Sequence, residues 1–325
     1  MINVGIIGAG GIVPFFIETT KKVKGYKYVG IASRSEEKVR AVKEKYGISY
    51  HTTDNDVVLS DPKIDVIYVA VPNSLHYEIG RKALENGKHV IMEKPFCANY
   101  REAKKLIDLA NEKGLIIFDA VTMLHMPNYA KIKDLIKEVG DLKMVDINFS
   151  QYSSRYDKFK KGIILPALDR KMAGGALMDL GIYNINFTLG LFGMPKKVEY
   201  YANKKKGIDT SGVLIMDYGN FKVNAVCAKD CKAPLLVCIQ GDKGFIRSDD
   251  ASSVISKISI VSNQGEQKEY ALNRHPEVPH YHEYAVFKKI FNDKDLEKAQ
   301  MYNELTLKTM KVLEKALKSA EISFR

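Results

Sequence analysis

From residue 2 to about residue 120 the chain alternates short, wholly apolar runs with segments whose apolar residues recur at helical spacing. The runs 3–7, 28–33, 66–70, 89–92 and 115–118 predict strands. Segments 36–46, 75–86 and 100–113 predict helices between them, the last two closed by Gly87 and Gly114, where a helix end needs a left-handed residue. Strands that are apolar on both faces need helices over both faces, so this part predicts a parallel, doubly wound α/β sheet. After Pro127 the period changes to two. Val145, Ile147 and Phe149 share one face of segment 145–152, Val223, Ala225 and Cys227 share one face of segment 221–227, and Leu235, Val237 and Ile239 repeat the alternation. With turns at Gly219-Asn220 and Gly241-Asp242, this predicts an α+β part, a mainly antiparallel sheet half covered by helices. Helices are expected at 176–191, 281–291 and near the C-terminus, where Leu307, Met310, Leu313 and Leu317 recur at helical spacing. The expected division is residues 1–122 and 123–325.

Composition narrows the class. A chain of 325 residues with 46% hydrophobic and 27% charged residues is that of a soluble globular protein, and no run approaches the roughly 20 apolar residues of a membrane span. The N-terminus enters an apolar strand directly, without the pattern of a signal peptide, so a cytoplasmic location is expected. Four cysteines (Cys97, Cys227, Cys231, Cys238) are too few for a disulfide framework and have no zinc-site spacing. The net charge of +11 raises nucleic acid as a partner, but only nine of the 50 basic residues are arginine and the lysines are scattered. A solvated lysine surface is expected instead, with no nucleic-acid and no membrane partner.

The candidate chemistry sits at strand ends. Gly8-Ala9-Gly10-Gly11-Ile12-Val13 follows the first strand, where glycines let a backbone approach a pyrophosphate and a helix N-terminus offers free N–H groups. Val13 stands where this fingerprint has its third glycine, which predicts slightly wider helix packing or a local shift. The second strand ends in Ser33-Arg34, with Lys38 one turn on, in place of the acidic residue that binds a ribose hydroxyl. A hydroxyl and a guanidinium suit a 2′-phosphate, so NADP is expected over NAD. Pro72-Asn73 with His76, and Glu93-Lys94-Pro95, follow the strands 66–70 and 89–92, on the side where open α/β sheets bind ligands. Farther on, Gly174-Gly175 precedes a helix carrying Asp179 and Tyr183, four apart and therefore on one face, with Gly181 implying a close approach.

In these motifs, and in the string Ala83-Leu84-Glu85-Asn86-Gly87-Lys88-His89-Val90 leading into Glu93-Lys94-Pro95, the chain resembles the Gfo/Idh/MocA oxidoreductases over its whole length. Tyr183, where many members have His, resembles the branch of glucose-fructose oxidoreductase, NADP-dependent xylose dehydrogenases and dimeric dihydrodiol dehydrogenase. The resemblance implies an N-terminal NAD(P)-binding Rossmann domain and a C-terminal substrate-binding domain with a large, mostly antiparallel sheet, often joining dimers or tetramers. It implies hydride transfer between a nicotinamide and a secondary alcohol or carbonyl of a sugar, polyol or dihydrodiol. Oxidation then needs a base for the hydroxyl proton. Tyr183 is the candidate, with Lys94 favouring its anion, Asp179 orienting the set, and Glu93 placing Lys94 or the nicotinamide ribose. Cofactor contacts are expected from Gly8, Gly10, Gly11, Ile12, Ser33, Arg34, Lys38, Pro72, Asn73, His76, Glu93 and Lys94. His125 stands where sugar-acting relatives often have Arg, and its role is left open with those of Arg155, Lys171 and His282. A metal at His275, His280 and His282 is not expected, because they lack a regular ligand spacing. The rival readings are a redox-neutral glycosidase that retains its NAD(P) and a non-catalytic NADP-sensing regulator.

Overall fold

Residues 1–324 are described by a computed structural model, and the apolar runs of the first third form six parallel strands. The elements are β1 (Ile2–Ile7), α1 (Ile12–Val23), β2 (Tyr26–Ala32), α2 (Glu36–Tyr46), β3 (Tyr50–Thr52), α3 (Asn55–Ser60), β4 (Val66–Val69), α4 (His76–Glu85), β5 (His89–Glu93), α5 (Tyr100–Glu112) and β6 (Ile117–Ala120). The strand order is β3-β2-β1-β4-β5-β6, so the chain reverses direction across the sheet between β1 and β4. That is the switch point where an open α/β sheet binds ligands. Gly87 and Gly114 adopt φ of 73° and 64°, as the pattern required. The last strand begins two residues later than expected, because the Leu115 N–H still bonds the Ala110 carbonyl at the end of α5 (2.8 Å).

The second part contains α6 (Pro127–Leu135), β7 (Leu142–Ser150), α7 (Ser154–Lys160), α8 (Ile182–Phe192), β8 (Lys197–Lys205), β9 (Ile208–Asp217), β10 (Lys222–Ala228), β11 (Leu236–Gly241), β12 (Gly244–Ser248), β13 (Ile258–Ser262) and β14 (Gln267–Tyr270). Its eight-stranded sheet runs β14-β13-β12-β11-β7-β10-β9-β8 and is antiparallel except where β10 pairs with β7. The helix expected at 176–191 begins differently: Leu177–Gly181 is a π-helical turn, and regular α-helix starts only at Ile182. π-turns are uncommon and concentrate at functional sites.

Two helices complete the chain, α9 (Tyr281–Asp293) and α10 (Leu296–Ser319). The structure divides into one unit of Met1–Ala120 with His280–Leu307, and another of Val121–Pro279 with the residues from Lys308 onward. A single boundary at residues 122–123 leaves out this return to the first unit. The cause is the apolar stripe of α9: Tyr284, Phe287, Ile290 and Phe291 are buried, Phe287 stacks on Phe118 of β6 (centroids 4.1 Å), and the Tyr26 hydroxyl donates to the Tyr284 carbonyl (2.7 Å). Each buried ring of this kind contributes about 2 kcal/mol by burial. Val13 is fully buried in the same core, so the third position of the glycine fingerprint serves packing.

Candidate active site

In the first unit the C-terminal ends of β2, β1, β4 and β5 lie side by side and carry the motifs. Gly8 has φ of 119°, its N–H bonds the Ala32 carbonyl (2.8 Å), and a Cβ there would lie 2.1 Å from the Ala70 oxygen. Glycine is therefore compelled at this position by the chain's own strands. Gly10 and Gly11 differ, since a Cβ on either would meet no protein atom within 4 Å. Packing does not require these two glycines, whereas a ligand lying against the backbone does. No side chain caps α1 at Gly11, so this helix N-terminus suits an anion. The residues thus fit a dinucleotide pyrophosphate.

At the end of β2, Ser33 is half-buried, Arg34 and Lys38 are exposed, and Ser35 caps α2. The nearest carboxylate downstream, Glu36, is engaged by His51 (2.8 Å). After β4, Pro72 and Asn73 open a single 3-10 turn, Asn73–Leu75. His76 departs from its expected role as a cofactor contact. It is fully buried, with Nδ1 3.0 Å from the Pro95 carbonyl and Nε2 2.9 Å from that of Val71. Burial lowers its pKa, and a neutral ring can donate to only one of the two carbonyls. It ties the loop after β4 to the loop after β5 and presents no surface to a ligand.

Glu93 is also buried and accepts the Tyr68 hydroxyl (2.5 Å). Burial raises its pKa, with the Glu283 carboxyl adding to the shift and the Tyr68 hydroxyl, His280 and Lys94 opposing it. Lys94, the next residue, is half-buried, and a cis peptide joins it to Pro95. Two further buried carboxyls belong to this neighbourhood and were missed from sequence: Asp119 at the end of β6, raised well above the usual range by burial with Lys94 opposing, and Glu283 on α9, in contact with His280 (3.2 Å). An acid inside the apolar run Ile116-Ile117-Phe118-Asp119-Ala120 was the available signal.

In the second unit the diglycine and Gly181 answer to internal packing. A Cβ on Gly174 would meet the Pro166 oxygen at 2.6 Å, and one on Gly175, whose φ is 139°, would meet Asp209 Oδ1 at 2.1 Å. A Cβ on Gly181 would meet Leu177 at 2.7 Å and the Cys227 sulfur at 3.1 Å. Asp209 is fully buried and accepts the Leu177 N–H (2.6 Å) and the Tyr200 hydroxyl (2.8 Å), anchoring the π-turn to β8 and β9. Asp179 lies in the π-turn and Tyr183 in the first turn of α8, both half-buried; Asp179 pairs with Lys229, and the Tyr183 ring lies against Phe149 (centroids 5.9 Å). Lys229, just past β10, and Asp209 escaped the sequence reading. His125 is half-buried, Arg155 and Lys171 are exposed, and His282 lies on α9 in the other unit. Among the described residues no group of three or more His, Cys, Asp or Glu could hold a metal, and no helix is long and apolar enough to cross a membrane.

Comparison with known proteins agrees with this geometry. Residues 2–120 match the oxidoreductase family with NAD-binding Rossmann fold, and residues 129–247 match the GFO/IDH/MocA C-terminal domain. The chain is 29% identical over 326 residues to scyllo-inositol 2-dehydrogenase (NADP(+)) IolU of Bacillus subtilis (strain 168), covering 100% of this chain and 98% of that one. It is 32% identical over 260 residues to the uncharacterized oxidoreductase YgjR of Escherichia coli (strain K12), covering 80% and 77%. The open conformation of KijD10, a 3-ketoreductase from Actinomadura kijaniata solved with TDP-benzene and NADP, shares the fold with a TM-score of 0.84 at 18% identity, covering 98% and 97%. With a dinucleotide cradle in one unit, the partner sheet in the other and both family models matched in order, the chain belongs to the Gfo/Idh/MocA family of NAD(P)-dependent oxidoreductases.

Proposed function

We propose that this enzyme is an NADP-preferring dehydrogenase of a secondary alcohol on a polyol, sugar or dihydrodiol, acting in the cytoplasm and running in reverse as a carbonyl reductase. The observation that carries the reading is the pairing of Asp179 and Tyr183 on consecutive turns, half-exposed, in a chain whose other unit holds the glycine cradle. The dehydrogenase of scyllo-inositol among its relatives supports the substrate class. When bound, the nicotinamide supplies the hydride chemistry. The protein's part is binding and proton handling. Gly8, Gly10, Gly11 and Ile12 hold the pyrophosphate, Ser33, Arg34 and Lys38 hold the 2′-phosphate, and Pro72, Asn73 and Glu93 border the nicotinamide side. The Tyr183 phenolate oxygen takes the hydroxyl proton during oxidation and returns it during reduction, while the Lys94 ammonium stabilises negative charge on the reacting oxygen. Asp179 orients this set. A regulator has no use for Lys94, Asp179 and Tyr183 together.

The basic pair at β2 gives a direct test of the cofactor. Arg34→Glu places a carboxylate beside the 2′-phosphate, so NADPH affinity is expected to fall about a hundredfold while NADH affinity holds or rises. Fluorescence titration of the reduced nicotinamides measures both, and wild-type protein that binds NADH as tightly as NADPH defeats the assignment.

We also infer a homodimer or homotetramer formed through the eight-stranded sheet. Tyr201, Val213, Val226, Asn148 and Leu236 stand opposite one another on β8, β9, β10, β7 and β11, an apolar row broken by one amide; Tyr201 is 63% exposed and the others are half-buried. A row of this kind on the uncovered side of a sheet suits a second copy.

A further inference from the structure

Lys229 is the one lysine in the described part of the second unit whose side chain is almost wholly buried in an ion pair: it is 4% exposed, against 28% for its partner Asp179. An ammonium so placed carries its charge only if anions meet it. Its surroundings supply them. Asp179 pairs with it directly from the π-turn, and Asp209 of β9 also faces it; burial raises the Asp209 pKa, and the Lys229 charge is among the effects that oppose the rise. The Cys227 thiol of β10 and the Tyr200 hydroxyl of β8, which donates to Asp209, lie beside them. The Lys229 backbone is clamped as well, its N–H on the Thr210 carbonyl (2.8 Å) and its carbonyl on the Ser153 N–H (2.9 Å). The lysine is thus the rigid partner and Asp179 the one that reaches solvent.

We infer that Lys229 is a positioning residue of the reaction, a buried cation that holds the Asp179 carboxylate ionised and fixed on the π-turn that leads into Tyr183. This rests on the proposed roles of Asp179 and Tyr183. It also accounts for the π-turn. Among the contacts that hold that turn against the sheet are three: the Gly181 backbone on Cys227, the Leu177 N–H on Asp209, and Asp179 on Lys229. Two of them set backbone position, and the third sets the charge and aim of a side chain.

The test titrates the Asp179 carboxyl by NMR in full-length protein with isotope-labelled aspartate, the resonance assigned by its loss in Asp179→Asn. In wild-type protein Asp179 is expected to titrate below the ordinary aspartate value of about 3.9, and in Lys229→Met at least about one unit higher. The acid limb of turnover, measured with NADP and scyllo-inositol, D-xylose or trans-dihydrobenzenediol, moves to higher pH in the same variant. Its kcat falls about tenfold or more while KM and NADPH affinity stay within about twofold. A merely structural lysine lowers thermal stability and leaves the Asp179 titration and the acid limb in place. An Asp179 that titrates at or above the ordinary value in wild-type protein overturns the inference even if Lys229→Met fails to fold. Should no alcohol be oxidised, the reaction assigned above falls, while the wild-type titration still decides the pair.

Discussion

Tyr183→Phe is expected to lower turnover by about a hundredfold to ten-thousandfold with NADPH binding unchanged. Removing one oxygen takes away the group that accepts the hydroxyl proton, and positioned proton transfer contributes a factor of this size. The ring's contact with Phe149 survives the change, so the helix should keep its place and the defect should lie in kcat. Steady-state kinetics beside nicotinamide fluorescence separates the two quantities. Turnover within a few-fold of wild type removes Tyr183 from the reaction, and a parallel loss of NADPH affinity makes its role one of binding.

The largest effect on the fold should come from Gly8→Ala. A methyl at this position would sit 2.1 Å from the Ala70 oxygen, and the φ of 119° is one that L side chains rarely adopt. The obstacle is backbone: the Ala70 N–H bonds the Ile7 carbonyl and the Gly8 N–H bonds that of Ala32, so relief requires moving β1 away from β4 or β2. A cost above about 3 kcal/mol is expected, seen as a large fall in thermal midpoint with loss of NADPH binding. Gly11→Ala is the contrast, since a Cβ there meets no protein atom; stability should hold while NADPH binding weakens. Equal stability losses in the two variants would mean that both glycines serve packing and that neither forms a cradle.

The first unit was legible because its signals are local. Apolar runs, Gly87 and Gly114 at φ of 73° and 64°, and motifs at strand ends are all read within a dozen residues. The return of α9 was legible as a helix but not as part of that unit, since Tyr284, Phe287 and Ile290 specify an apolar face and leave open which sheet it covers. In the second unit the outer strands escaped notice for a physical reason. β8 reads Lys-Val-Glu-Tyr-Tyr-Ala-Asn-Lys-Lys and β14 reads Gln-Lys-Glu-Tyr, the charged texture that keeps an edge strand from pairing further. The parallel pairing of β7 with β10 joins segments about 80 residues apart, with no turn between them to announce it.

The candidate site divides along the same line. Lys94, Asp179 and Tyr183 stood out through the motifs around them, whereas Lys229 lies among Lys229-Asp230-Cys231-Lys232 and looks like any surface lysine until burial singles it out. His76 shows the converse. Its motif suggested a ligand contact, and only the two carbonyls of Val71 and Pro95 reveal a group that ties loops together. Gly174, Gly175 and Gly181 likewise suggested a cofactor close by, and meet Ala167, Asp209 and Cys227 of the protein itself. Such contacts depend on which distant strands become neighbours, which local spacing does not contain.

Every role assigned above depends on hydride transfer from a carbinol carbon to NADP. The most direct measurement supplies the enzyme with NADP and polyols and sugars deuterated at the carbinol carbon, scyllo-inositol first, and follows deuterium into the reduced nicotinamide. Hydride transfer gives stoichiometric label in NADPH and a matching ketone or lactone, with the rate of labelling lost in Tyr183→Phe. Protein that binds NADPH yet transfers no deuterium from any of these alcohols, or that cleaves a glycoside with no net reduction of NADP, would contradict it.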